Sequence, residues 1–169
     1  MYGAGDDCEL ENSHVLPAFI RKMHEARRRS DDQVTVWGTG MPRRESLFND
    51  DMADACVHLM QLIERGGLGA LSAALQAGPP LVSIGCGEDL TIRELAQTVV
   101  DVVKSEGCLT FDSSKPDGTP RKLLDVSRMS RLGWSAKTPL REGLCLAYAD
   151  FPARRASATE MRQALGAAP

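Results

Sequence analysis

The segments able to form β-strands are short in this chain and alternate with longer helical stripes, which limits the folds open to it. Val34-Thr35-Val36-Trp37, Leu81-Val82-Ser83-Ile84 and Cys108-Leu109-Thr110-Phe111 are each rich in β-branched, aliphatic or aromatic side chains. Before and between them, apolar residues fall at helical spacing. One stripe is Val15, Leu16, Phe19, Ile20 and Met23, and another is Ala53, Cys56, Val57, Met60 and Ile63. Helices alternating with short strands argue for an α/β or α+β architecture with a small mixed sheet. The strands are too few for a complete doubly wound fold, so the count fits a lobe packed on something else.

Local signals set the expected boundaries. Residues 1–13 read as a loop, Ser13 as an N-cap, and Pro17 is tolerable only in the first turn of the helix that follows. Asn49 or Asp50 caps the second helix, Gly66 terminates it, and residues 66–80 form a loop with a weak helix. Thr91-Ile92-Arg93-Glu94 is a capping box, with Leu90 and Leu95 as its hydrophobic staple, and opens a helix running to about Lys104. A polar loop with Pro and Gly covers 112–120. Ser127 caps a short helix to Leu132, and Thr138-Pro139 opens the last helix, with proline at its first position, through Phe151. The expected organisation is one ligand-binding lobe over 1–151 and an Ala/Arg-rich tail over 152–169, frayed or helical, without internal repeats.

Composition excludes several classes of function. A length of 169 residues suits a single domain, and a net charge of −3 gives no argument for nucleic acid or a membrane surface. No run of about 18 apolar residues is present. Asp6, Asp7, Glu9 and Glu11 are unlike the basic start of a signal peptide. The five cysteines show no metal spacing and, without a signal peptide, point to reduced thiols in the cytoplasm. Gly38-Thr39-Gly40 and Gly85-Cys86-Gly87 are bare Gly-x-Gly pairs that read as tight turns, not as a dinucleotide fingerprint. Neither tyrosine has a lysine four positions later, so the Tyr-x-x-x-Lys pair of short-chain dehydrogenases is absent.

Several side chains are chemically apt for a phosphorylated ligand. Imidazole, as at His14, titrates near neutral pH and suits proton transfer, although a lone histidine in a first helical turn is more often a surface residue. The indole of Trp37 offers a broad face and one N–H donor, and equally suits a core. The guanidinium fork of Arg44 can grip a diphosphate bidentately; in isolation it reads as a solvated turn residue. Asp117 can accept hydrogen bonds and Lys122 can neutralise phosphate, while Pro116-Asp117-Gly118 also makes a turn.

Taken together, Asn12-Ser13-His14-Val15-Leu16-Pro17, Val36-Trp37-Gly38-Thr39-Gly40, Arg43-Arg44-Glu45 and the run from Lys115 to Lys122 resemble the sugar-nucleotide half of the GDP-L-fucose synthase family. These are NADP-dependent epimerase-reductases among the extended short-chain dehydrogenases. The similarity covers about residues 2–151. Gly85-Cys86-Gly87-Glu88 and Leu132-Gly133-Trp134 are shared by many extended dehydrogenases, whereas Lys-Pro-Asp-Gly-Thr-Pro-Arg-Lys and Asn-Ser-His-Val are more specific.

The resemblance implies the C-terminal substrate lobe of such an enzyme, with the Rossmann lobe missing. It implies the conversion of GDP-4-keto-6-deoxy-D-mannose to GDP-L-fucose with NADPH. His14 would be the catalytic acid and would touch the nicotinamide of NADP. Lys22, Trp37, Arg44, Asp117 and Lys122 would hold the GDP-sugar. The implied protein partners are the missing lobe or a homodimer mate. Ala4, Cys8, Ser46 and Asn49 depart from the family pattern, and Met1 falls where the family still has an upstream strand, as in a truncated frame or an internal start. A non-catalytic remnant, a binding module, and a lobe for another sugar nucleotide all stay open.

Overall fold

The computed structural model describes residues 1–8, 13–75 and 81–164, and the expected contribution of Asn12 lies outside these. The chain is α/β. Its elements run α1 (Val15–Arg29), β1 (Gln33–Trp37), β2 (Arg43–Glu45), α2 (Asn49–Leu75), β3 (Asp89–Thr91), α3 (Ile92–Val103), β4 (Cys108–Asp112), β5 (Arg121–Lys122), α4 (Ser127–Arg131) and α5 (Leu140–Ala164). Two small sheets result. One is a parallel pair, β1 with β4, in register from Gln33 opposite Cys108 to Trp37 opposite Asp112. The other has the order β3-β2-β5, antiparallel on one side of β2 and parallel on the other.

The main core lies where α1, α3 and α5 meet the inner face of the parallel pair. The helical stripe of α1 buries Leu16, Phe19, Ile20, Met23 and Ala26, and α3 buries Leu95, Ala96, Val99 and Val103. Val34 and Val36 point inward from β1 while Gln33, Thr35 and Trp37 face out, as alternation requires. Tyr2, only 1% exposed, bridges to Phe48 and donates its hydroxyl to the Leu140 carbonyl, so the first residues are anchored in this core. The ring of His24 packs edge-on against Tyr148 and Phe151 and fastens α1 to α5. A second cluster forms around Leu47, Ala55, Met129 and Trp134.

Backbone termini explain several boundaries. The capping box at Thr91 and Glu94 is present with both of its hydrogen bonds. Lys104 closes α3 in the left-handed conformation, and Arg27 donates to the Val103 carbonyl at 2.9 Å, meeting one of the acceptors a helix end leaves over. At the start of α2, buried Asp51 accepts from the Thr138 N–H at 2.9 Å and its hydroxyl at 3.1 Å, tying that end to the approach of α5.

Five expectations need correction. The N-cap of α1 is His14, not Ser13, and its side chain makes no capping bond. Gly66 does not stop α2, because the Leu and Ala residues of 68–75 favour helix and no proline intervenes before Leu75. Residues 76–80 of the expected loop lie outside the described residues. Leu81–Ile84 is not a strand: it pairs with no strand among the described residues, and Leu81 is exposed. Ser127 is the first residue of α4 rather than its cap; its N–H is taken by Asp125 at 2.9 Å. The last helix opens one residue beyond Pro139, whose carbonyl accepts from Gly143, and it passes Phe151 and Pro152 to reach Ala164. No helix of the described residues is long and apolar enough to cross a membrane.

Burial separates neighbouring leucines on α5. Leu144 is fully buried, and Leu144→Ala should cost about 2–5 kcal/mol. Leu146 is 50% exposed, and Leu146→Ala should stay within about 0.5 kcal/mol. Urea midpoints at constant m-value check both.

Candidate functional site

The three-stranded sheet is held by charge rather than by apolar side chains. Asp89 of β3 has its side chain 4% exposed and accepts from Arg43 Nε at 2.8 Å and from Arg121 Nε at 2.5 Å. One carboxylate therefore spans β3, β2 and β5. The hydrogen bond from Arg121, then that from Arg43, holds the Asp89 carboxyl below the ordinary aspartate value of 3.8. Register then places Arg44 directly opposite Lys122. Arg44 donates Nη1 to the Arg43 carbonyl at 2.7 Å, and neither Arg44 nor Lys122 has a carboxylate partner among the described residues. Two of the four cations on these strands are thus paired with Asp89, and two have no carboxylate partner among the described residues.

Glu45, at the end of β2, organises the adjoining turns. Its carboxylate accepts from the Gly87 N–H at 2.7 Å and from the Leu124 N–H at 2.9 Å. A Cβ at Gly85 would collide with this same carboxylate. Gly87 takes a φ of 77°, which glycine adopts without strain.

The outward end of β1 carries Trp37, 69% exposed. The Lys115 ammonium stands 5.6 Å from the centroid of its ring, within cation–π range. The next turn is fastened to the 112–120 loop, because Asp117 accepts from the Thr39 N–H and hydroxyl, each at 2.7 Å. Gly38, at a φ of 85°, gives Asp117 room, since a Cβ there would strike its carboxylate. One residue on, Gly118 lies beside Arg44, whose Nη2 is 3.8 Å from where a Cβ would stand. A continuous surface therefore runs from Trp37 through the two loops to Arg44 and Lys122.

Lys22 and His14 reach this region from α1. Lys22 donates to the Thr35 carbonyl on the outer edge of β1, and partial burial lowers its pKa. The chain turns back after α1, so β1 runs antiparallel to it. His14 lies about 12 Å from Lys22 along the helix axis, at the rise of 1.5 Å per residue, toward the end where Trp37 stands. His14 is exposed, and among the described residues its ring makes no hydrogen bond to the other five candidates.

Of the six residues singled out from the sequence, the fold thus pairs Arg44 with Lys122 and fastens Asp117 to the turn that follows Trp37. It ties Lys22 to β1 and leaves His14 apart at the same end. Both oxygens of Asp117 are already engaged by Thr39. Sequence reasoning missed Lys115, Glu45 and Asp89 as organisers. Glu45 and Lys115 lay inside the recognised motifs, whereas nothing marked Asp89.

Both Gly-x-Gly turns are filled by carboxylates of this chain, Asp117 in one and Glu45 in the other. The N-terminus of α3 is closed by its own capping box. These residues do not fit the pyrophosphate of a dinucleotide such as NADP, and no step through that cofactor is derived from this chain. Among the described residues no cluster of His, Cys, Asp and Glu can hold a metal ion.

Residues 1–71 match the NAD dependent epimerase/dehydratase family. GDP-L-fucose synthase 1 of Arabidopsis thaliana is 48% identical over 148 residues, covering 88% of this chain and 42% of the relative. The GDP-L-fucose synthase of Escherichia coli K12 is 47% identical over 154 residues, covering 89% and 46%. The chain spans less than half the length of these relatives. Among solved structures, the GDP-mannoheptose C4 reductase MlghC of Campylobacter jejuni, with NADP bound, superposes with a TM-score of 0.70 at 32% identity, over 84% of this chain and 46% of that one.

The charge clamp predicts a pH signature. A carboxyl depressed on folding contributes stability above its unfolded value, which is lost as pH falls through the folded one. Asp89→Asn should therefore lower stability at pH 7 and flatten its loss below about pH 4 relative to the parent chain. Urea unfolding at a series of pH values measures both effects.

Proposed function

We propose that this chain, which is similar to GDP-L-fucose synthases and matches the NAD dependent epimerase/dehydratase family over residues 1–71, is the GDP-sugar-holding lobe of such an enzyme. The carrying observation is the cationic strip of Lys115, Arg44 and Lys122 beside the exposed indole of Trp37. A nucleoside diphosphate ester has the complementary form, with two charged phosphates next to a flat base and a sugar. Arg44 and Lys122 lie side by side and supply forked and point donors for the phosphates. Trp37 supplies a stacking face.

The remaining assignments follow the same reading. Asp117 holds the Gly38–Gly40 turn against the strip and positions the indole, more than it offers lone pairs of its own. Lys22 secures the β1 edge behind Trp37. His14, exposed at the N-terminus of α1, is the proton donor for the sugar, in a conversion of GDP-4-keto-6-deoxy-D-mannose to GDP-L-fucose. Hydride chemistry in that conversion belongs to NADPH and to residues this chain does not carry. The same reading places the lobe against a Rossmann partner in the cytoplasm.

Isothermal titration with GDP-mannose tests the assignment. Saturable binding is expected, weakened about tenfold or more by Arg44→Ala and by Lys122→Ala, as loss of a charge-assisted hydrogen bond implies. UDP-glucose should compete poorly. Absence of binding, or binding unchanged by both substitutions, contradicts the proposal.

A further inference from the structure

We propose that the outer edge of β4 and the groove beneath it form a docking site for an extended peptide, which adds to the sheet as a third strand. The two edges of the parallel sheet are treated differently. Cys108 donates to the Asp32 carbonyl and the Asp112 carbonyl accepts from Gly38, both at 2.9 Å. Alternate residues of a parallel strand face the same neighbour, so the N–H and C=O of Leu109 and Phe111 point away from β1. On the opposite edge, the outward carbonyl of Thr35 is covered by Lys22, a charged residue that blunts a strand edge. The β4 edge has no such cover, and no strand pairs with it among the described residues.

That edge opens onto a groove of about 630 Å³ between β4 and α3, with Val100, Leu109 and Phe111 among its lining residues. The volume lies in the range of ligand sites. Ser105 also lines it. This residue is 8% exposed, and its hydroxyl has no hydrogen-bond partner.

An edge with two outward residues, an apolar floor and a helix wall calls for a strand with apolar side chains at alternate positions. Glu106 at one end favours a basic residue on that strand. Arg93 at the other end is already occupied by the Phe111 ring and the Thr39 carbonyl. A lone strand of about five residues matches the length of β4.

The test is an NMR titration of the labelled chain with the hexapeptide Lys-Val-Ser-Val-Ser-Val, blocked at both ends. Two counterparts are N-methylated on the Val or on the Ser amides. Saturable shifts should centre on Val100, Ser105, Leu109 and Phe111. One of the two methylated peptides should bind at least tenfold more weakly, and the other about as well as the parent. Leu109→Pro removes one outward donor while leaving the ladder to β1 intact, and should weaken binding at least tenfold in a chain whose circular dichroism is unchanged. The proposal is overturned by any of four results: no saturable binding, equal binding of all three peptides, shifts centred on Trp37 and Arg44, or self-association through β4 without peptide.

Discussion

One carboxylate organises the face proposed to hold the GDP-sugar. Asp89 joins three strands that together contain only eight residues and have almost no apolar side chains of their own. Strands this short gain little from ladder hydrogen bonds, so side-chain pairing fixes their register. The same pairing sorts the local cations. Arg43 and Arg121 are consumed in holding the sheet, and Arg44 and Lys122 are displayed by it. Charge that looks uniform along the sequence is divided into structural and available halves.

Helices were more legible than sheets. The stripe of α1 and the capping box at Thr91 could be read directly, because the apolar spacing and the cap chemistry are local. The strands β2, β3 and β5 gave no period-two signal: Arg43, Arg44, Glu45, Asp89, Arg121 and Lys122 are charged, and only partners distant in sequence make them strands. Leu81–Ile84 failed in the opposite sense, having strand composition without a strand beside it among the described residues. The proposed site rests on its motifs, but the engagement of Asp117 by Thr39 spans 78 positions and no pattern announces it.

The parallel pair β1–β4 serves two surfaces at once. Its outer face and C-terminal end present Trp37 beside the cationic strip, while its inner face closes the main core through Val34 and Val36. Gly107 lets β4 begin close against the α1–β1 connection, since a Cβ there would meet the Asp31 carbonyl at 2.6 Å. Rigid packing behind the sheet and loops fastened in front of it are what a binding site needs to keep its donors in place.

The most direct test of the account is the affinity of folded Asp89→Asn for GDP, measured at pH 7 beside the parent chain. If charge alone governed binding, removing a carboxylate from between two arginines would free both guanidiniums and tighten binding. The clamp predicts the reverse. Without Asp89 the strands lose their register, Arg44 and Lys122 drift apart, and affinity falls. Tighter binding by the variant would contradict the claim that Asp89 builds the site.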